Sequence, residues 1–213
     1  MPKVYPNATA SESSSPKTPK PPSDRHVEVL TVWKKSLLFN CNGFTVFDTK
    51  GNLVFRVDNY LAGNKAEIVL MDASGKSLLT IRRKKLSFGD TWMVYDGETC
   101  ANPRFLVKKQ VNFLKSKILA HVTAGEGSIN GKNGSSNKNL MYEIEGSYGQ
   151  RCVAVYDNKR RVVAEIKKKE AIGGVSFGCD VFRLIVQPEL DPTVAMTLVI
   201  LLEQMFGSRR SSF

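Results

Sequence analysis

DPTVAMTLVILLEQMFG, residues 191–207, is the segment of this sequence with the clearest structural signal. Asp191 is a typical N-cap, Pro192 suits the first helical position, and Gly207 suits the left-handed residue that often ends a helix. Between them, large apolar side chains point to nearly every side of the helix, and they are Val194, Met196, Leu198, Val199, Ile200, Leu201, Leu202, Met205 and Phe206. Burying them contributes roughly 13–27 kcal/mol before entropy is counted. A helix of this kind is buried, so the rest of the chain must surround it.

A membrane-spanning helix is the alternative interpretation of this stretch. Its continuous apolar run covers residues 194–202 only, whereas a spanning helix needs about 20 residues. Glu203 and Gln204 interrupt the run before it could be extended. The buried central helix is therefore the better interpretation, and no transmembrane segment is predicted.

The segments before the helix read as short strands joined by hairpin turns. Asp-x-x-Gly occurs at residues 48–51 and again at 72–75, and this pattern is typical of type I turns. A related turn at 157–160 lacks the glycine, and Asp96-Gly97 marks a shorter hairpin. Repeats this closely spaced also occur in solenoids, but the copies here are few and divergent, which favours consecutive hairpins in one meander.

About twelve strands are predicted, and several alternate apolar with polar residues. Phe182, Leu184 and Val186 share one face, and the sequence predicts that Val162, Ala164 and Ile166 likewise face inward. One buried and one solvated face is typical of antiparallel sheets. The predicted fold is therefore mainly β, a closed antiparallel barrel enclosing the C-terminal hydrophobic helix. Closure also removes exposed sheet edges.

The domain organisation follows from composition. Residues 1–25 are rich in Ser, Pro, Lys and Thr and are predicted to be a disordered tail. Residues 26–206 form a single barrel domain with its central helix at 192–206, and 207–213 form a short C-terminal tail. Residues 125–139 are rich in Gly, Asn and Ser and predict a loop.

Cysteine usage and the N-terminal composition indicate an intracellular protein. The cysteines, at positions 41, 100, 152 and 179, are far apart, which argues against a structural zinc site and fits free thiols in a reducing compartment. Residues 1–25 contain no apolar block and predict no signal peptide. We expect a cytoplasmic monomer, with membrane association and nuclear localisation both open.

The strongest functional feature is positive charge. The formal net charge is +11, which favours anionic partners such as phospholipid headgroups or nucleic acid. It concentrates in three clusters at predicted strand ends or turns: a first (Arg82, Arg83, Lys84, Lys85), a second (Lys159, Arg160, Arg161) and a third (Lys167, Lys168, Lys169). If they converge beside a concavity, they would form a headgroup site. The alternative is that they are solvated strand ends that oppose aggregation.

Other function classes have weaker support. Tyr142, Tyr148 and Tyr156 are candidates for stacking on nucleic-acid bases, but no known nucleic-acid-binding motif is present. His26 and His121 belong to no recognisable nucleophile–base pair, so an enzyme, a cofactor and a metal site are not predicted. An exposed apolar or aromatic patch would instead favour a protein–protein adaptor.

Several segments resemble the LURP-one-related family, best known from plants. They are LTVWKKS (30–36), FTVFDTKGNLVFRV (44–57), LLTIRRK (78–84), WMVY (92–95) and the Asp-Pro-Thr before the apolar helix. The family is similar in fold to the tubby C-terminal domain and to phospholipid scramblases. The resemblance implies a twelve-stranded barrel threaded by a C-terminal helix, and a role at phosphoinositide-containing membranes, coupled to transcription in tubby-like proteins. No lipid-binding residue carries over motif by motif.

Overall fold

A computed structural model describes residues 26–38, 41–60, 67–84, 89–99, 101–110, 117–125, 139–170 and 178–207. The predicted N-terminal tail, most of the predicted 125–139 loop, Lys85, Cys100 and residues 208–213 lie outside the described residues.

Twelve strands precede a single helix in the described part of the chain. The strands are β1 Glu28–Trp33, β2 Cys41–Phe47, β3 Leu53–Tyr60, β4 Glu67–Asp72, β5 Ser77–Arg83, β6 Thr91–Asp96, β7 Phe105–Lys109, β8 Ile118–Ala124, β9 Leu140–Ser147, β10 Cys152–Asp157, β11 Val162–Lys168 and β12 Val181–Val186. The helix, α1, is Pro192–Phe206.

The strands form one closed antiparallel barrel. Each strand pairs with its neighbours in sequence, and β1 also pairs with β12, where Leu30 lies opposite Leu184. The predicted closed barrel around a C-terminal helix is therefore confirmed. Closure leaves no unpaired strand edge in this sheet.

The inward faces of the strands and all sides of α1 form a single core. Met196, Ile200 and Leu202 are fully buried, and the strand residues around them include Leu30, Ile81 and Phe182. One strand prediction was wrong, because Val162 is 38% exposed and its neighbour Val163 is buried instead. A β-bulge causes this change, since Tyr156 pairs with Val162 while Val155 pairs with Ala164.

The two ends of α1 are stabilised in different ways. Asp191 caps the N-terminus, because its carboxylate accepts from the Thr193 N–H at 2.8 Å. The prediction that Gly207 is left-handed was wrong, since its φ is −61°. A Cβ at this position would lie 2.2 Å from Glu203 Oε1 and 2.4 Å from the Glu203 carbonyl oxygen. Glycine is therefore needed for space, because the Glu203 side chain folds over the helix end.

Three hairpin turns are built around an aspartate, and we call Asp48, Asp72 and Asp157 the turn aspartates. Each carboxylate accepts from the backbone N–H groups two and four residues later, at 2.8–3.0 Å. The fourth position has positive φ in every case, 84° at Gly51, 90° at Gly75 and 61° at Arg160. The turn without glycine thus places an arginine in the left-handed region, which costs about 1–2 kcal/mol.

Hydrogen bonds hold the pKa of all three turn aspartates below the ordinary value. For Asp48 the main cause is the Asn52 side-chain amide, and for Asp72 it is the Ser74 hydroxyl. At Asp157 partial desolvation opposes ionisation, but hydrogen bonds from the Arg161 backbone and guanidinium outweigh it and lower the pKa. The ionised turns are therefore part of the stable fold.

Candidate functional site

The barrel has two distinct ends, because strand connections in an antiparallel meander alternate between them. The end where α1 begins holds the β2–β3, β4–β5, β6–β7 and β10–β11 turns, and we call it the Asp191 end. The opposite end, where α1 finishes, holds the β1–β2, β5–β6, β9–β10 and β11–β12 connections, and we call it the basic end.

Charge is strongly polarised between these ends. Among the described residues, the basic end carries thirteen Lys and Arg, namely Lys34, Lys35, Arg82, Arg83, Lys84, Lys108, Lys109, Lys117, Arg151, Lys167, Lys168, Lys169 and Arg183. They are accompanied by seven carboxylates, Asp58, Glu67, Asp90, Glu165, Glu170, Asp180 and Glu203. The Asp191 end carries six basic residues, Lys50, Lys76, Arg104, Lys159, Arg160 and Arg161, against eight acidic ones, Glu28, Asp48, Asp72, Asp96, Glu98, Asp157, Glu189 and Asp191. The described residues therefore give a net charge of +6 at the basic end and −2 at the Asp191 end.

The structure does not bring the three predicted basic clusters together. Arg82, Arg83 and Lys84 leave β5 at the basic end, and the third cluster leaves β11 at the same end. These two strands lie on opposite sides of the ring, six strands apart. The second cluster forms the β10–β11 turn at the Asp191 end. The first and third clusters thus share an end without converging, and the second cluster is remote from both.

Many of the cluster side chains are engaged by neighbouring carboxylates. In the first cluster, Arg82 Nε lies 2.8 Å from Glu67 Oε2, and Arg83 Nε lies 2.9 Å from Asp90 Oδ1. In the third, Lys167 pairs with Glu165 on its own strand.

The two arginines of the second cluster pair with carboxylates of their own hairpin and of β9. Arg160 bridges Glu143 and Glu145, and Arg161 pairs with Asp157. The hydrogen bonds to these carboxylates raise the pKa of both arginines. The two arginines of the second cluster therefore stabilise a turn and present little uncompensated charge.

A buried arginine at the basic end has no counterpart among the predicted residues. Arg151 is 6% exposed and takes a positive φ of 52° in the β9–β10 turn. Its guanidinium carbon lies 4.2 Å from the centre of the Tyr148 ring and 4.3 Å from that of Phe182, and its Nε donates to the Cys179 carbonyl at 2.9 Å. Burial raises the pKa of Tyr148. Arg151 thus fastens two turns to the barrel wall.

Further cations surround the C-terminus of α1. Lys109 Nζ donates to the Met205 carbonyl at 2.6 Å and lies 4.4 Å from the centre of the Phe206 ring. Lys34 Nζ lies 2.6 Å from Glu203 Oε1, and an Arg151 nitrogen lies 3.8 Å from Glu203 Oε2. These groups complement the negative end of the helix dipole, so part of the positive charge here is structural.

The tyrosines and the histidine that could serve nucleic-acid binding or catalysis have structural roles. Tyr148 is buried, and Arg160 covers the ring of Tyr156 at 4.5 Å, so neither ring is free for base stacking. His121 Nε2 lies 3.0 Å from Glu143 Oε2 on the outer wall. Within the described ranges no group of His, Cys, Asp and Glu side chains could hold a metal ion. In the same ranges no helix has the length and apolar content that crossing a membrane requires.

A family model and two sequence relatives identify one family. A family model for LURP-one-related proteins matches residues 28–203. Protein LURP-one-related 8 of Arabidopsis thaliana is 56% identical over 184 residues, which cover 84% of this chain and 88% of that protein. Protein LURP-one-related 17 of the same plant is 44% identical, and the match covers 84% of this chain and 83% of that protein. An X-ray structure of another Arabidopsis thaliana protein has the same fold, with a TM-score of 0.61 at 21% identity, covering 86% of this chain and 95% of that one.

Proposed function

This chain belongs to the LURP-one-related family, and from that premise we propose that its barrel is a non-enzymatic binding domain for anionic membrane surfaces, with phosphoinositide as the favoured lipid. The basic end is the binding surface. The observation that carries this proposal is the polarisation of charge between the two ends of the barrel.

The arrangement of charge favours a surface over a small ligand. The basic residues form a ring around one end, and the first and third clusters lie on opposite sides of it. A flat anionic surface can meet several sides of such a ring at once. Each lysine or arginine near an anionic leaflet contributes about 1 kcal/mol, and the field of the charged end orients the barrel as it approaches.

Cations without a carboxylate partner are the best candidates for lipid contact. Lys84, Lys108 and Lys168 form no ion pair within the described part of the chain. Lys84 and Lys108 lie on the outer wall beside Thr91, because Thr91 pairs with Lys108 and its carbonyl accepts from the Lys84 N–H. Lys168 lies across the ring.

Co-sedimentation with vesicles tests the proposal and maps the surface. The full chain is compared on phosphatidylcholine vesicles alone, with phosphatidylserine, and with a phosphoinositide, at physiological salt. Lys84→Glu/Lys108→Glu changes one side of the basic end, and Lys167→Glu/Lys168→Glu changes the other. Lys50→Glu/Lys76→Glu is the matched control, because it makes the same charge change at exposed turns of the Asp191 end.

We expect binding to require anionic lipid, and each basic-end variant to bind at least roughly thirtyfold more weakly, from about 1 kcal/mol for each lysine lost. The control should bind nearly as well as the unchanged chain. Equal losses in all three variants would mean that the chain binds only through its net charge. Absence of binding to every vesicle would overturn the proposal and favour an acidic protein partner or nucleic acid.

A further inference from the structure

Three large apolar side chains are exposed within one short segment at the basic end. Trp33 is 40% exposed, Leu37 52% and Leu38 38%, and we call them the apolar patch. Single exposed apolar residues are ordinary on protein surfaces, whereas several within one segment of six residues make that segment a candidate interaction site. At the Asp191 end the exposed large apolar residues among those described are Val27 and Val162, which lie on separate strand ends.

The segment that carries the apolar patch is fixed to the barrel. The Lys34 N–H donates to the Asp180 carbonyl at 2.7 Å, and the Thr45 hydroxyl donates to the Lys35 carbonyl at 2.9 Å. The Ser36 hydroxyl donates to Asp58 on β3 and accepts from the Leu38 N–H. These hydrogen bonds connect the segment to β2, to β3 and to the residue before β12. The barrel therefore holds the apolar patch at the surface.

Positive charge lies beside the apolar patch. Lys35 Nζ lies 5.3 Å from the centre of the Trp33 ring. Trp33 pairs with Val181 at the start of β12, and β12 in turn pairs with β11, where Arg183 lies opposite Lys167. This sector of the wall carries Lys34, Lys35, Lys167, Lys168, Lys169 and Arg183, against Glu165, Glu170 and Asp180, and Lys34 also pairs with Glu203 of α1.

We propose that the apolar patch inserts into the interfacial layer of an anionic lipid bilayer and so anchors the barrel by its basic end. This inference rests on the proposed function and adds an apolar contact to the electrostatic one. Tryptophan favours the headgroup level, leucine the acyl boundary, and lysine stems extend from apolar surface to anionic headgroups. The flanking positive charge favours a bilayer over an apolar protein surface.

The chain contains its own probe of insertion. It has two tryptophans, and Trp92 is 5% exposed within the core, so Trp33 alone can meet lipid. Vesicles of phosphatidylcholine and phosphatidylserine with bromine in the upper acyl chain quench tryptophan that enters the interface. Sedimentation of the same samples reports binding separately. Trp33→Phe identifies the source of any quenched emission.

Insertion predicts that bound protein loses a large part of its Trp33 emission, and that Trp33→Phe retains an unquenched Trp92 signal. Leu37→Ser/Leu38→Ser should bind roughly tenfold more weakly and lose the part of binding that resists high salt. Val27→Ser/Val162→Ser removes a pair of exposed apolar side chains from the Asp191 end and should bind normally.

The experiments distinguish a failure of insertion from a failure of membrane binding. Sedimentation without quenching, unchanged in Leu37→Ser/Leu38→Ser, would overturn insertion and leave an electrostatic membrane binder. No sedimentation with any anionic vesicle would overturn both. In that case the apolar patch would be the first place to seek a protein interface.

Discussion

Shortening Leu201 tests whether α1 is enclosed as the structure indicates. Leu201 is 1% exposed, and its neighbours Ile200 and Leu202 are fully buried. Leu201→Ala removes three carbon atoms from the core and leaves a cavity that a closed barrel cannot collapse to fill. Substitutions of this kind cost about 2–5 kcal/mol, and the enclosed site predicts the upper half of that range.

Urea unfolding followed by far-ultraviolet circular dichroism and by tryptophan fluorescence measures this cost. Gln204→Ala is the control, since Gln204 is the exposed position on the same helix, and its free energy of unfolding should change by less than about 0.5 kcal/mol. Leu201→Asp should yield no folded protein, because a buried carboxylate would have no partner. A cost below about 1 kcal/mol for Leu201→Ala, or a folded Leu201→Asp, would refute the enclosed helix.

Stability measurements also test the turns and the Asp191 end. Arg160→Gly should be about 1 kcal/mol more stable than Arg160→Ala in chemical unfolding. Both variants lose the same ion pairs, and only alanine keeps the strain of the left-handed conformation. The reverse order of stability would show that the turn relaxes. Since the turn aspartates have lowered pKa values, the stability they contribute is fully present above about pH 4 and is lost as the pH falls through their folded pKa values. The Asn variant of each turn aspartate should therefore have a lower melting temperature than the unchanged chain at pH 6. At the lowest pH at which both proteins fold, the two melting temperatures should be equal. A difference that persists at that pH would contradict the lowered pKa values. Burial, and then the charges of Asp191 and Asp48, raise the pKa of Glu28, so its ionised form destabilises the fold above that pKa. Glu28→Gln should accordingly raise the melting temperature at pH 7 and not at pH 3, and a gain at both would point to a cause other than charge.

The local features of the fold could be predicted from the sequence. Asp191 and Pro192 mark the helix start, and the apolar residues after them have nowhere to lie except inside a surrounding sheet. The turn aspartates mark hairpins because their hydrogen bonds reach only two to four residues. Each of these features depends on neighbours in the chain.

The features that depend on barrel closure could not be predicted in the same way. Lys109 caps a carbonyl 96 residues away, and Arg151 packs between rings from two different elements, so no local pattern identifies either role. The prediction that Val162 faces inward was wrong because a β-bulge turns Val163 inward in its place. The three basic clusters look equivalent in sequence, and only the alternation of strand ends and the ring order separate them.

Hydrogen–deuterium exchange of the full chain, with and without phosphoinositide-containing vesicles, tests most directly whether the basic end is the binding surface. Binding through the basic end predicts slower exchange on the vesicle in residues 34–38, around Lys84, at 108–110 and at 167–170, with the turns at 48–52, 72–76 and 157–161 unchanged. Protection of those turns instead, or equal protection at both ends, would contradict it.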